Sequence, residues 1–378
     1  MQRIWNFIRR VDLLMALVPL LLGILSVVMI HSIMGEANRT VFVQALAFGL
    51  GFAVMVVTAL IDTEYYDKLY DYKVFYILSI VVQATVFIPG LGMSAYGSQA
   101  WINLGVTTMQ PSELVKITFV LTLASYLARH RDELMTFKGF CRAFGFSTPI
   151  IGLVAYIDMG AGIVLGFIFV GMIFAAGIRG VIFLRLAVAF MVAMPIVYRF
   201  LAPHQKERFA AFLNPNNTEI DATYQVLQSK IAIGTGGFFG KGLGNGTVKA
   251  SGFLPVQESD FIYSIICEEL GFVGGAVVIL LYALLLYRFW RTTSRAHTEY
   301  DALIGIGFFA MFGFQIFENI GMTMGVMPIT GITLPFLSAG GSSVVANFIA
   351  LGILAGIAFR TSERSYKHID TEVNPGLI

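Results

Sequence analysis

Asp260 closes the stretch LPVQESD (Leu254 to Asp260), and a membrane-length apolar run begins at the next residue. A carboxylate at a helix N-terminus is held ionised by the unsatisfied N–H groups there, and an ionised carboxylate is what removal of a hydroxyl proton requires. The same residue type also serves as a plain N-cap, so both readings stand. Glu113 and Lys116 lie three residues apart, on one face of a helix. They form a structural ion pair, or else Lys116 presents its charge to an anionic headgroup such as pyrophosphate while Glu113 holds it in place. Asp158, in YIDMGAG (Tyr156 to Gly162), stands where an apolar run stops and glycines begin, as a helix cap or as a further cavity acid. Glu268 and Glu269 follow about 12 Å beyond Asp260 at 1.5 Å per residue and point about 100° apart, so one of them at most faces a common cavity.

The elements that position these groups must cross a membrane. Of the 378 residues 57% are hydrophobic and only 13% charged, with a mean hydropathy of +0.78, whereas soluble domains carry about a quarter charged residues. A net charge of +2 gives no electrostatic basis for nucleic-acid binding. Cys141 and Cys267 have no CxxC or CxxH spacing, and the five histidines are scattered, so no zinc site or disulfide framework is expected.

Apolar runs at about 13–32, 41–61, 74–88, 112–128, 144–158, 162–178, 182–199, 261–287, 302–327 and 342–359 predict an all-α polytopic membrane protein of about ten transmembrane helices. Residues 1–378 read as one integral membrane domain. The first run follows RRVD without a small-residue cleavage site and reads as a retained span. Lys and Arg favour alternate connections, from Arg3, Arg9 and Arg10 at the start to Arg360, Arg364 and Lys367 at the end, which predicts both termini in the cytoplasm. Residues 200–259 then form a large extracytoplasmic loop between helices 7 and 8, with short amphipathic helices such as YQVLQSKIAI (Tyr224 to Ile233). Under this topology Glu113, Lys116, Asp158, Asp260 and Glu318 all fall in the outer half, which implies a polar cavity open to the outside.

Seven glycines fall between Gly234 and Gly246. A dinucleotide loop needs a flanking strand and a soluble βαβ unit, which are missing here, so the run reads as a mobile connector.

Four blocks carry a resemblance: WINLG with QPSELVK (Trp101 to Lys116), FLNP with YQVLQSKIAIGTGGFFGKGLGNG (Phe212 to Gly246), LPVQESDFIYSIICEELGFVG (Leu254 to Gly274) and ENIGMTMGVMPITGITLPFLSAGGSS (Glu318 to Ser343). Through them the sequence resembles the SEDS family of bacterial cell-wall polymerases, the RodA/FtsW/SpoVE-like proteins. The wording at Asn319 to Met322 leans toward the elongation type. The chain departs from the family pattern at Ala100, Tyr156, Ile157 and Ala339 and keeps Asp260, Glu113 and Lys116.

The resemblance implies a glycosyltransferase in the bacterial cytoplasmic membrane, polymerising lipid II on its outer face. It implies Asp260 as the catalytic residue, with Glu113, Lys116 and Asp158 on the family's other polar cavity positions; Gln110, Ser112, Arg208 and Glu268 join these as further candidate substrate-binding residues. No metal ligands are assigned, and a divalent cation (Mg2+ or Mn2+) is left open. The implied partners are lipid II, membrane lipid and a class B penicillin-binding protein transpeptidase. Two alternatives belong to other classes: a flippase for the same lipid-linked precursor, which needs a polar path to the inner leaflet, and a non-catalytic scaffold for the transpeptidase.

Overall fold

A computed structural model describes residues 12–373 apart from 36–37, 69–71, 96–97, 104, 106–107, 135, 179, 183, 186–187, 189–191, 193–197, 200–202, 216, 218–219 and 251–253. The principal helices are α1 (Leu13–Met34), α2 (Arg39–Leu60), α3 (Tyr72–Ala84), α4 (Pro111–Arg129), α5 (Phe137–Ile157), α6 (Met159–Ala175), α7 (Pro203–Leu213), α8 (Asp221–Thr235), α9 (Ile262–Ser294), α10 (Glu299–Thr323) and α11 (Gly341–Val373). Among the described residues six helices are long and apolar enough to cross a membrane: α1, α2, α5, α9, α10 and the 341–362 part of α11. The segments Tyr72–Phe87 and Met159–Ala175 are shorter apolar helices. The expected span at 182–199 falls largely outside the described residues.

α10 forms the middle of the bundle, packed against α4, α6 and α9, while α11 packs along α2. Small residues permit the close approach. A Cβ at Gly307 of α10 would lie 2.7 Å from Val120 of α4 and 2.9 Å from Met172 of α6. Most of α4 is buried, whereas α1 leaves Leu13, Leu17, Leu20 and Ile24 exposed. A chain surrounded by hydrocarbon has no reason to hide such residues.

The expectation of an all-α chain needs one correction. A three-stranded antiparallel sheet, β1 (Gly92–Ala95), β2 (Ser98–Asn103) and β3 (Thr108–Met109), precedes α4, with Gly92 opposite Ile102 and Ile102 opposite Met109. Its cause is the period-two pattern of β2: Ala100 and Ile102 point inward and pack with Val86 and Ile157, while Gln99 and Asn103 point out. The sheet thereby fixes the start of α4 beside the end of α5.

The glycine run also differs from the mobile connector expected. α8 runs beside α9 in the same direction, Ser229 pairing with Ser264 at 2.7 Å and Gly236 lying against the carbonyl of Cys267. α9 is broken at Gly271 (φ 70°, ψ −166°), which interrupts its own hydrogen-bond ladder. The glycine run completes that ladder: Lys241 and Gly242 donate their N–H groups to the carbonyls of Glu268 and Glu269, and Phe272 and Val273 donate to Gly237 and Phe238, at 2.9–3.2 Å. An interrupted helix inside a membrane needs such a substitute, because no water is present to fill the vacancies.

Gly240 has φ +83°, and a Cβ there would lie 2.1 Å from the carbonyl oxygen of Glu269. Gly240→Ala is therefore expected to destabilise the protein by about 2 kcal/mol or more. Thermal unfolding in detergent checks this, and a native midpoint for the variant would contradict the fitted-loop account.

Candidate functional site

Asp260 sits at the end of a turn whose backbone is fixed on several sides. Its N–H donates to the carbonyl of Val256 (3.0 Å), and its own carbonyl accepts from Asn319 Nδ2 (3.1 Å). Asn319 also donates to the carbonyl of Ile332 (2.8 Å), so one buried amide on α10 ties the start of α9 to the 328–333 segment. Beside it the Ala339 N–H donates to the carbonyl of Glu258 (2.9 Å), and the Ser338 hydroxyl donates to that of Ser259. The N-cap of α9 is Phe261, with no side-chain capping bond, so the Asp260 carboxylate is not consumed as a helix cap.

That carboxylate is half-buried, with Oδ1 accepting from the Ser259 hydroxyl at 2.8 Å. Arg208, from α7, lies on its other side: a Cβ at Gly331 would be 3.6 Å from both Arg208 Nη1 and Asp260 Oδ2. Burial pushes the Asp260 carboxyl up to about 6, opposed by Ser259 and Arg208 and reinforced by the charges of Glu258 and Asp158. Glu318, fully buried on α10, accepts from the Thr330 hydroxyl, in the residue pair next to Gly331.

A second group lies on the Asp158 side. Asp158 separates α5 from α6 and caps the latter, Oδ1 accepting from the Ala161 N–H at 3.1 Å. Its Oδ2 accepts from Gln110 Nε2 at 2.5 Å and from the Ser112 hydroxyl at 3.4 Å. The capping role open in the sequence is thus filled at Asp158 and left unfilled at Asp260. Glu113 and Lys116 approach to 2.9 Å with both side chains nearly sealed, a charge contact without hydrogen-bond alignment. The charges of Glu113 and Lys116 act on Asp158, and that of Asp158 acts on Asp260.

Of the residues singled out in the sequence, Gln110, Ser112, Glu113, Lys116 and Asp158 form one group, and Asp260 with Arg208 forms its neighbour. Glu268 is placed elsewhere. Its Oε1 accepts from Lys241 Nζ (2.8 Å), from the Thr247 hydroxyl (3.0 Å) and from the N–H groups of Thr247 (2.7 Å) and Val248 (3.1 Å), all in the glycine-run segment. Ser259, Thr330 and Gly331 lie outside the residues that the sequence points to, whereas Asn319 belongs with Glu318 to its set of polar cavity groups. Their signal is the alternation of polar and small residues in ESD and in ENIG with PITG, which reads as loop until the two segments are seen to meet. Among the described residues no group of three or more His, Cys, Asp or Glu could hold a metal ion.

The sequence profile of the FtsW, RodA and SpoVE proteins, described as "Cell cycle protein", matches residues 5–363. The chain belongs to this family. It is 33% identical over 356 residues to the stage V sporulation protein E of Bacillus subtilis, covering 92% of this chain and 96% of that relative. It is 37% identical over 297 residues to a probable peptidoglycan glycosyltransferase FtsW of Coxiella burnetii, covering 77% of this chain and 78% of the relative. Among solved structures, a chain of a peptidoglycan synthase complex, studied for the coordination of polymerization and crosslinking, matches with a TM-score of 0.80 and 27% identity, covering 93% of this chain and 98% of that one. The rod shape determining protein RodA of Thermus thermophilus matches with a TM-score of 0.68 and 25% identity, over 92% of this chain and 96% of that one. The chain is accordingly a multi-pass membrane protein with the FtsW/RodA/SpoVE fold.

Glu113→Gln leaves the Lys116 ammonium buried without its counter-charge and is expected to cost about 3–5 kcal/mol, most of it recovered in the Glu113→Gln/Lys116→Met double variant. Unfolding midpoints of the three proteins test the pairing. A single variant as stable as the parent, or a double variant no better than the single, would refute it.

Proposed function

We propose that the protein is a peptidoglycan glycosyltransferase that polymerises lipid II on the outer face of the bacterial cytoplasmic membrane, with Asp260 as general base. The observation that carries this reading is a half-buried carboxylate, fixed through its backbone, uncommitted to capping and set beside an arginine. Close relatives named as probable peptidoglycan glycosyltransferases support the substrate class.

In the proposed reaction Asp260 removes the proton of the C4 hydroxyl on the acceptor GlcNAc, and that oxygen attacks C1 of the donor MurNAc. The new bond is C4–O–C1, the bond broken joins C1 to the pyrophosphate oxygen, and undecaprenyl pyrophosphate leaves with the electron pair. A single displacement inverts C1. Lys116 and Arg208 meet the charge that grows on the leaving group, an interaction stronger in the transition state than in the ground state. The proton then passes from Asp260 to outside water.

The topology that suits this chemistry has ten spans, both termini in the cytoplasm and residues 1–378 as one membrane domain. Residues 200–259 then enter from outside, α8 descending alongside α9. A class B penicillin-binding protein suits the cross-linking role of partner, since a related chain belongs to a complex that couples polymerization to crosslinking.

Purified protein with purified lipid II tests the assignment. Asp260→Asn is expected to lose about 10²-fold or more in rate while keeping its unfolding midpoint. The native rate should rise with pH, reaching half its plateau near pH about 6, because the protonated carboxyl cannot act as base. A raised folded-state pKa favours the folded protein as pH falls, so Asp260 itself does not drive acid unfolding and the two losses are separable. A well-folded Asp260→Asn variant polymerising at the native rate would overturn the assignment.

A further inference from the structure

The end of α9 remote from Asp260 carries Arg288, Arg291 and Arg295, spaced so that all three lie on one side of the helix. Among the described residues one carboxylate meets them: Arg288 Nη2 donates to Asp12, the N-cap of α1. Arg291 is half-buried and Arg295 exposed, and neither makes an ion pair among the described residues. Their positive charges repel that of Arg288. Glu299, at the start of α10, is already held by Arg131 at 3.1 Å. The carbonyls at the end of α9 offer only about half a negative charge. Three guanidinium groups are thus left short of counter-charge.

The surface beside them is apolar. Leu13, Leu17, Leu20 and Ile24 form one exposed stripe along α1, starting next to Asp12, and Leu280 and Tyr287 form another along α9 in line with Arg291. Both helices are long and apolar enough to cross a membrane, so the stripes border hydrocarbon and the arginines stand where the helices leave it. A ligand that fits has an anionic head for the free guanidinium donors and hydrocarbon chains directed inward. We propose that this end of α1 and α9 binds an anionic phospholipid, its phosphodiester held by Arg291 and Arg295 with Arg288 beside them, and its acyl chains lying along the two stripes. An acidic peptide would answer the charge and leave the stripes uncovered, which favours the lipid. In the proposed topology the site lies in the cytoplasmic leaflet, on the face opposite Asp260, and it does not depend on the polymerase reading.

The test uses purified full-length protein in neutral detergent, with the unfolding midpoint followed as phosphatidylglycerol is added. Phosphatidylcholine with the same acyl chains and free glycerol 3-phosphate are titrated in parallel. Phosphatidylglycerol is expected to raise the native midpoint and to do so less as salt is added, while the other two leave it nearly unchanged. In the Arg291→Gln/Arg295→Gln variant the half-saturating phosphatidylglycerol concentration should rise about tenfold, and in Arg291→Lys/Arg295→Lys it should stay within about threefold of the native value. Native mass spectrometry of the same samples should show the bound lipid on the native protein and its loss from the Gln variant. Equal stabilisation by phosphatidylcholine would reduce the site to acyl contacts and overturn the proposal, and equal stabilisation by glycerol 3-phosphate would overturn the lipid as its ligand. A phosphatidylglycerol response unchanged in the Gln variant, or absent from the native protein, would overturn it as well.

Discussion

Hydrocarbon offers no hydrogen bonds, so each N–H, C=O and charge that this chain carries into the membrane needs its partner within the chain. The broken helix α9 shows the constraint most plainly. Its interruption at Gly271 leaves the carbonyls of Glu268 and Glu269 and the N–H groups of Phe272 and Val273 unmatched by the helix, and residues 237–242 match all four. The same rule pairs Glu113 with Lys116 and surrounds Glu268 with Lys241, Thr247 and Val248. Only glycine permits the backbone approach at positions such as Gly240.

Asp260 gains its character from the same rule applied incompletely. Its backbone is tied down by Val256 and Asn319, and the neighbouring turn by Ser338 and Ala339, while the carboxylate keeps one hydroxyl and an arginine nearby and is otherwise uncommitted. A group held rigidly but solvated sparingly costs little reorganisation when it takes a proton. The two loops that frame it, 254–260 and 328–339, come from distant parts of the chain and are joined through Asn319. Arg208 approaches the same carboxylate from α7, across Gly331.

Much of this was legible in the sequence because hydropathy and charge pairing are local properties. Six spans long enough to cross a membrane followed from apolar length, and the Glu113–Lys116 contact followed from i, i+3 spacing. The sequence also points to Glu113, Lys116, Asp158 and Asp260, and the structure places the first three as one group whose charges reach the fourth through Asp158. What stayed hidden depends on contacts between remote segments. The glycine run reads as flexible until α9 supplies the backbone against which it fits. Glu268, adjacent to Glu269 in an apolar run, looks like a cavity acid until Lys241 is seen beside it. Ala100 and Ile102 alternate too briefly to announce a strand without Val86 and Ile157 to pack on.

Burial raises the pKa of the Asp260 carboxyl, and the Ser259 hydroxyl and Arg208 oppose it. Infrared difference titration of the carboxyl stretch, with Asp260→Asn to identify the signal, measures this directly. The account predicts a carboxyl band that disappears with a midpoint near pH about 6 in the native protein and at higher pH in Arg208→Gln, because the arginine favours the ionised form. A band already absent at pH 4, or a midpoint indifferent to Arg208, would contradict it.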